Sequence, residues 1–309
     1  MNPLIKRLYN HSQLDYEILN DPEVAHLIIH HNKVLGLKSL EGLEVSTEEL
    51  TDGVKIDILL KEGVKITKPV HLCFGMLINQ GIQRIYLNFA GEKFSSIQIL
   101  SHCTFPNAEN IKHIMEGKIE LKEGAEFSYF ERHVHGLHGG IEVYPHTRVV
   151  LHRKAKFKTE FELLRGRVGI IDIDYEITGD ERSSMDMITR INGYGEDKIK
   201  IKEVGYLKGK YSTGVLRSRI AVRDKAKAEV YNKLIAYAAY ARGHVDCKEI
   251  IQDEGIATAV PIVEVRNPKA HITHEAAIGS VDSKQLQTLM ARGLTEEEAV
   301  ELIIKGLLS

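Results

Sequence analysis

From about Val54 onward the sequence alternates apolar and polar residues in one short run after another, and this period of two limits the possible folds more than any other feature. "VKIDILL", "VKITKPVHL", "RIYLNFAG", "SSIQIL", "KIELKEG" and "AEFSYFERH" all follow it. Successive strand side chains point to opposite faces, so each run reads as a strand with one buried face. A looser repeat lies on top of the alternation. "IELKEGAEFSY", "VVLHRKAKFKT", "IAVRDKAKAEV" and "VEVRNPKAHIT" each join two strands through a polar turn that ends in alanine, and "IDILLKEGVKIT" is a weaker copy with valine in that place. The alanines Ala125, Ala155, Ala226 and Ala270 are 30, 71 and 44 residues apart, a period that is not fixed. A small residue after each tight turn suits corners packed closely on the next coil. The pattern therefore favours a β-solenoid, in which each rung buries its face by stacking. A large β-sandwich is the competing architecture.

The flanks differ. "NPLIKRLYN" and "DPEVAHLIIHHNKVLG" space apolar residues as helices do, with Asp21-Pro22 as an N-cap and first helical position. Residues 1–50 are thus expected to be partly helical, 51–281 to form the β core and 282–309 to form a helical hairpin. In the hairpin, Leu286, Leu289 and Met290 share a face before Gly293, a C′ glycine. Thr295 and Glu298 form a capping box with Leu294 as hydrophobic staple. Ala299, Val300, Ile303, Ile304 and Leu307 give the last helix a stripe, widened by Leu302 and Leu308, that either caps a solenoid end or receives another protein.

Several functions are disfavoured. The net charge of −2 gives no electrostatic case for nucleic acid, and the absence of tryptophan weakens any stacking platform for bases or sugars. There is no G-x-x-x-x-G-K-[ST], no G-x-G-x-x-G between strand and helix and no G-x-S-x-G, so any ATP hydrolysis belongs to another protein. Cys73, Cys103 and Cys247 are odd in number and widely spaced, which fits a reducing compartment. With no apolar leader region and no long apolar window, the expected location is the cytoplasm.

Two groups of residues carry chemistry. In "ERHVHGLHGG", His133 and His135 share a strand face at a metal-binding spacing. No cysteine or second cluster is seen to complete a site with His138, His146 or His152, and the glycines suggest an exposed turn. The second group is Cys247, near His244 and Asp246, with His271, His274 and Glu275 of "HITHEA". Thiolate, imidazole and carboxylate together suit labile iron.

The segment "THEAAIGSVDSKQLQTLMARGLTEEEAVELIIKGLL" resembles the SufB/SufD scaffold family of the SUF iron–sulfur cluster assembly system. It keeps His274-Glu275-Ala276, Gly279, Asp282, Leu286, Ala291-Arg292-Gly293-Leu294 and Glu298-Ala299 of that family's pattern, and "YSTGVLRSRIAVRDKAKAEVYNKLIAYA" fits its final rungs. The resemblance implies a right-handed parallel β-helix flanked by terminal helices, with a transient iron–sulfur cluster handled near a subunit interface; a flavin is left open. It also implies a SufC-type ABC ATPase docked on the terminal helices, for which Leu286, Leu289, Met290, Arg292, Leu294, Ala299 and Ile303 are the expected contacts. A second SufB/SufD-type subunit, identical or not, would pair with the last strands. Cys247 matches the functional cysteine of SufB, Glu275 its glutamate and His274 a histidine of both branches. Cys247 and Glu275 rank first, because alternation puts His274 and Glu275 on opposite faces.

The chain is shorter than typical SufB proteins and lacks their clustered N-terminal cysteines, which suggests a compact scaffold that pairs with itself. The expected function is a non-enzymatic scaffold. A structural SufD-like subunit and a β-helix carbohydrate enzyme are the alternatives.

Overall fold

The computed structural model describes residues 2–309. The chain begins with helix α1 (Pro3–His11), started by Asn2, whose side chain accepts a hydrogen bond from the Leu4 N–H at 2.9 Å. Four short strands follow: β1 (His26–His30), β2 (Lys33–Lys38), β3 (Leu43–Glu49) and β4 (Gly53–Leu60). Next come β5 (Val70–Gly75), β6 (Gln80–Gly91), β7 (Ser96–Phe105), β8 (Asn110–Leu121), β9 (Glu126–His135) and β10 (Ile141–Leu151). The remaining strands are β11 (Lys156–Arg165), β12 (Gly169–Gly179), β13 (Ser184–Gly193), β14 (Lys198–Leu207), β15 (Thr213–Val222), β16 (Lys227–Ala236), β17 (Arg242–Ile251), β18 (Ile256–Val265) and β19 (His271–Gly279). Helices α2 (Ser283–Met290) and α3 (Glu296–Leu307) end the chain.

From β4 onward, alternate strands go to alternate sheets. The result is a parallel β-solenoid of about eight turns, with a ten-stranded sheet from β2 to β19 facing a nine-stranded sheet from β3 to β18. Rung length is nearly constant: Gly53 pairs with Arg84 and Ile141 with Gly169, offsets of 31 and 28 residues. The apparent irregularity of the alanine spacing thus has a simple cause. Corners occur on both sheets, so alanines 71 and 44 residues apart are separated by about two and a half and one and a half rungs.

The corners explain the small residues. Ala125, Ala155 and Ala226 are fully buried, and each donates its N–H to the carbonyl three residues back. Several corners hold a residue in the left-handed region: Gly124 without penalty, but also Lys154, Arg182 and Tyr240. That conformation costs a non-glycine residue roughly 1–2 kcal/mol. It turns the N–H along the stack, where Lys154 reaches the Glu181 carbonyl at 2.8 Å and Arg182 that of Lys210 at 2.9 Å. Alternate side chains fill the space between the sheets in one continuous core, each large apolar one stabilising the fold by about 1.5–3 kcal/mol.

The two ends differ. At the start, α1 packs Ile5, Leu8 and Tyr9 on Ile28, Cys73 and Leu77, and antiparallel pairs β1–β2 and β3–β4 finish the sheets. The helix expected from Asp21 is in fact this β1–β2 hairpin. His31, at positive φ, turns the chain tightly before Asn32, and stacking of His26–His30 on β5 outweighs the helical spacing. At the other end β18 and β19 are stacked on one side only. The terminal hairpin does not cap them. It folds back on the outer flank of the ten-stranded sheet, where Ile304 and Leu308 bury against Ala221 with Leu164 and Ile250 alongside, and Arg223 pairs with Glu301. The Thr295–Glu298 capping box is formed, and Gly293 is at φ +99°.

Candidate functional site

The open end of the solenoid holds the C-terminal group of residues. Cys247 lies within β17 and points into the core with no exposed surface. In the ladder it stands over Ser218 and beneath Ala276. The Asn232 side chain reaches across from the other sheet, Nδ2 to Sγ 3.8 Å, and Ser218 Oγ donates to Glu249 Oε1 at 3.1 Å. Burial pushes the Cys247 thiol up to about 11, and the Glu249, Glu203 and Asp246 carboxylates add to the rise while a hydrogen bond with Ser218 opposes it. Burial likewise raises Glu203 and Glu249 to about 7. The resting thiol is therefore protonated; the polar neighbourhood is acidic and does not activate it.

On the last strand, His274 pairs with the inward-facing Val245, so alternation puts it on the face of Cys247. Glu275 pairs with Asp246 and faces outward, its Oε1 3.5 Å from Lys248 Nζ. His271 is also outward and exposed. The strand is unbroken from His271 to Gly279, so one chain brings His274 but not Glu275 to the thiol's side. His274 is solvent-exposed only because no further rung covers it. Among the hairpin residues, Ala299 is fully buried, while Leu286, Leu289, Leu294 and Ile303 are half-buried and Met290 and Arg292 exposed.

A second constellation lies in the interior. His133 and His135 are buried, while His138 is on the surface and His146 and His152 sit on outward faces. A cysteine does join them, contrary to the sequence reading: Cys103 is the ladder partner of His133 one rung below, and His113 reaches in from the opposite sheet. One donor atom each of Cys103, His113 and His133 lie within 4.8 Å of one another. Glu131 Oε1 is 2.9 Å from His133 Nε2 and 3.6 Å from Cys103 Sγ, and His133 Nδ1 is 3.1 Å from His135 Nε2. Burial holds His113 and His133 down near 3 and lifts Glu131 to about 7. Both ring nitrogens of His113, Oε2 of Glu131 and Nδ1 of His135 have no partner, each a deficit of about 1–3 kcal/mol. The missed signal was the 30-residue offset of Cys103 and His133, the same as that of Ala125 and Ala155. Ladder columns separate the two polar regions: Phe161 lies between Glu131 and Thr189, and Leu163 between His133 and Ile191.

A family model described as "SUF system FeS cluster assembly, SufBD core domain" matches residues 83–307. The chain belongs to the SufBD family. It is 40% identical over 282 residues to an iron-sulfur cluster assembly SufBD family protein of Methanocaldococcus jannaschii, covering 91% of this chain and 89% of that one. A SufBD family protein of Pyrococcus horikoshii is 36% identical over 301 residues, 97% of this chain and 91% of its own length. A longer SufBD protein of the same organism is 27% identical over 81% of this chain but only 56% of its own length. Membership of the SufBD family makes the chain an iron–sulfur cluster assembly protein. Among the described residues no helix is long and apolar enough to cross a membrane.

Proposed function

We propose that the chain is a cytoplasmic scaffold on which iron–sulfur clusters are built, working with a SufC-type ABC ATPase and a second SufB/SufD-type subunit. The observation that carries this reading is an unfinished solenoid end with a thiol one rung inside it. Strand edges left unpaired at β18 and β19, beside the exposed Val265 and Ile278, favour pairing with another sheet. A second copy of this chain would supply such a sheet and bring two sets of Cys247 and His274 to one interface. The cluster, or its iron and sulfide, is cargo there. A thiolate is a soft ligand for both iron and sulfur, and the exposed imidazole of His274 adds a ligand that releases readily. Glu275 and His271, on the outer face, serve from the partner's side of the interface or hold it by ion pairing.

Deprotonation of the buried thiol is the barrier to loading. Separation of the subunits, driven by the ATPase, would admit water and iron and lower that barrier. The exposed parts of α2 and α3 (Leu286, Leu289, Met290, Arg292, Leu294 and Ile303) offer the ATPase a surface, and Ala299 holds the hairpin together from inside. The scaffold itself hydrolyses nothing.

Burial of Cys247 and its raised thiol pKa favour one competing reading, a structural SufD-like subunit. Anaerobic reconstitution with iron and sulfide, in the presence of the ATPase subunit, decides between them. A cluster held by the wild type and lost in Cys247→Ala supports the scaffold. If neither protein holds acid-labile sulfide while both bind the ATPase, the chain is structural.

A further inference from the structure

We infer that the solenoid interior holds a resident divalent transition-metal ion, Zn²⁺ or Fe²⁺, between Cys103, His113 and His133, distinct from the cluster cargo at the open end. The donors come from three consecutive strands, β7, β8 and β9, so an ion there would tie one sheet to the other across the core. Their chemistry is selective: one thiol and two imidazoles form a set that zinc and ferrous iron accept, and that calcium and magnesium do not. A donor atom from each already lies within 4.8 Å of the others, so modest side-chain movement closes the set.

Independent observations point to a missing ligand. His113 is about 1% exposed, and neither of its ring nitrogens has a hydrogen-bond partner. A buried imidazole that bonds to nothing is rare in a folded protein. Glu131, beside both Cys103 and His133, also has a free carboxylate oxygen and can take the fourth position or accept a hydrogen bond from a ligand.

Charge also balances. On binding, the Cys103 thiol and the Glu131 carboxyl group release their protons to solvent, and the resulting thiolate and carboxylate neutralise a divalent ion, so no net charge is buried. The Phe105 ring packs tilted against His113 at 4.9 Å and that of Phe161 against His133 at 4.8 Å, ring centre to ring centre, so apolar surface encloses the site. An ion so enclosed exchanges slowly and serves as a fixture of the rungs. Cys247 lies four rungs from His133 and five from Cys103, roughly 19–24 Å along the stack.

The test needs no sulfide, so it is separable from cluster reconstitution. Full-length protein from cells supplied with zinc and iron is analysed for metal by mass spectrometry. A second sample is unfolded with chelator and refolded anaerobically with Co²⁺. Near-stoichiometric zinc or iron is expected in the wild type and in Cys247→Ala, and which metal is found decides between the two. The cobalt form should show a thiolate-to-metal charge-transfer band and the intense visible absorption of a four-coordinate ion. Cys103→Ala and His113→Leu should lose both. Only trace metal in the wild type together with no thiolate–cobalt band overturns the inference, even if the variants fail to fold. So does a band that survives Cys103→Ala and disappears in Cys247→Ala.

Discussion

Cys247 and Glu275 point to opposite faces of the ten-stranded sheet. The ladder sets Glu275 beside Asp246, where its carboxylate approaches Lys248 at 3.5 Å, while the Cys247 thiol lies in the core beneath Ala276. The histidine one residue earlier shares the thiol's face. Within one chain the pairing register therefore makes His274, and not Glu275, the neighbour on the thiol's face, as the alternation of the strand requires.

This ordering predicts the result of three substitutions in anaerobic reconstitution. Cys247→Ala and His274→Ala should lose most of the bound iron and sulfide, and Glu275→Gln should keep most of it. A loss in Glu275→Gln as complete as that in Cys247→Ala would mean that the carboxylate is a ligand supplied from across a subunit interface.

Thiol reactivity gives a second check. All three cysteines are buried, and Cys73 and Cys247 are pushed up to about 12 and 11. The reactive species is the thiolate, so at neutral pH a maleimide or disulfide reagent should label the folded chain very slowly and the unfolded chain fully. Labelling of Cys247 should quicken when the ATPase partner and ATP are added, if hydrolysis opens the end of the scaffold. Equal labelling with and without ATP would remove that coupling.

The strand pattern and the C-terminal signature were legible because both are local: alternation, a capping box and a His-Glu-Ala run lie within a few residues of one another. What was hidden depends on stacking. Cys103, His113 and His133 are near neighbours only because a rung is about thirty residues long, and the regular rung was masked by corners alternating between two sheets. The β1–β2 segment misled for a related reason. Its apolar residues fit a helix as well as a strand, and only the neighbouring rung at Val70–Gly75 decides. Burial, too, is a property of the stack, so the sequence showed His244 and Asp246 beside Cys247 but not that the thiol turns away from them.

The acidic interior predicts an unusual pH dependence of stability. Glu203 is buried, hydrogen-bonded to Thr189 at 2.7 Å, and raised to about 7 by burial. Between its unfolded value of 4.5 and 7 the folded state binds the extra proton, so this group's contribution falls as pH rises through that window. Histidines held low by burial, such as His26 and His71, act in the opposite sense, losing stability as pH falls below about 6.5. Glu203→Gln should therefore gain about 1–3 kcal/mol over wild type at pH 8 and little at pH 4.5, read from urea midpoints. An equal shift at both pH values would show that Glu203 does not titrate in this way.

The hairpin separates stability from partner binding. Ile304 is buried on the sheet flank, so Ile304→Ala should cost about 2–4 kcal/mol of local stability and loosen the helices. Met290 and Leu302 are 42% and 48% exposed, so Met290→Asp and Leu302→Asp should leave the melting curve nearly unchanged. Titration calorimetry with the ATPase subunit should show weakened binding for these aspartate variants. Wild-type affinity in both would move the docking surface elsewhere.

The open end yields the last prediction. Val265 and Ile278 are inward-facing positions of β18 and β19, yet 47% and 44% exposed, because the solenoid stops there. Terminal rungs of stacked folds otherwise carry a polar cap or a covering element, and an uncovered strand edge is a template for pairing. Here the hairpin that could cover the end lies on the flank instead. A lysine at either position would have to be buried in any subunit interface formed by these strands, at a cost of several kcal/mol per ion. Within the isolated chain the same lysine would reach water. Val265→Lys and Ile278→Lys should therefore melt like the wild type as monomers but fail to dimerise in sedimentation experiments, and they should lose cluster loading along with dimerisation. Dimers that persist in both variants would place the subunit contact on another face and leave the Cys247–His274 end open to solvent.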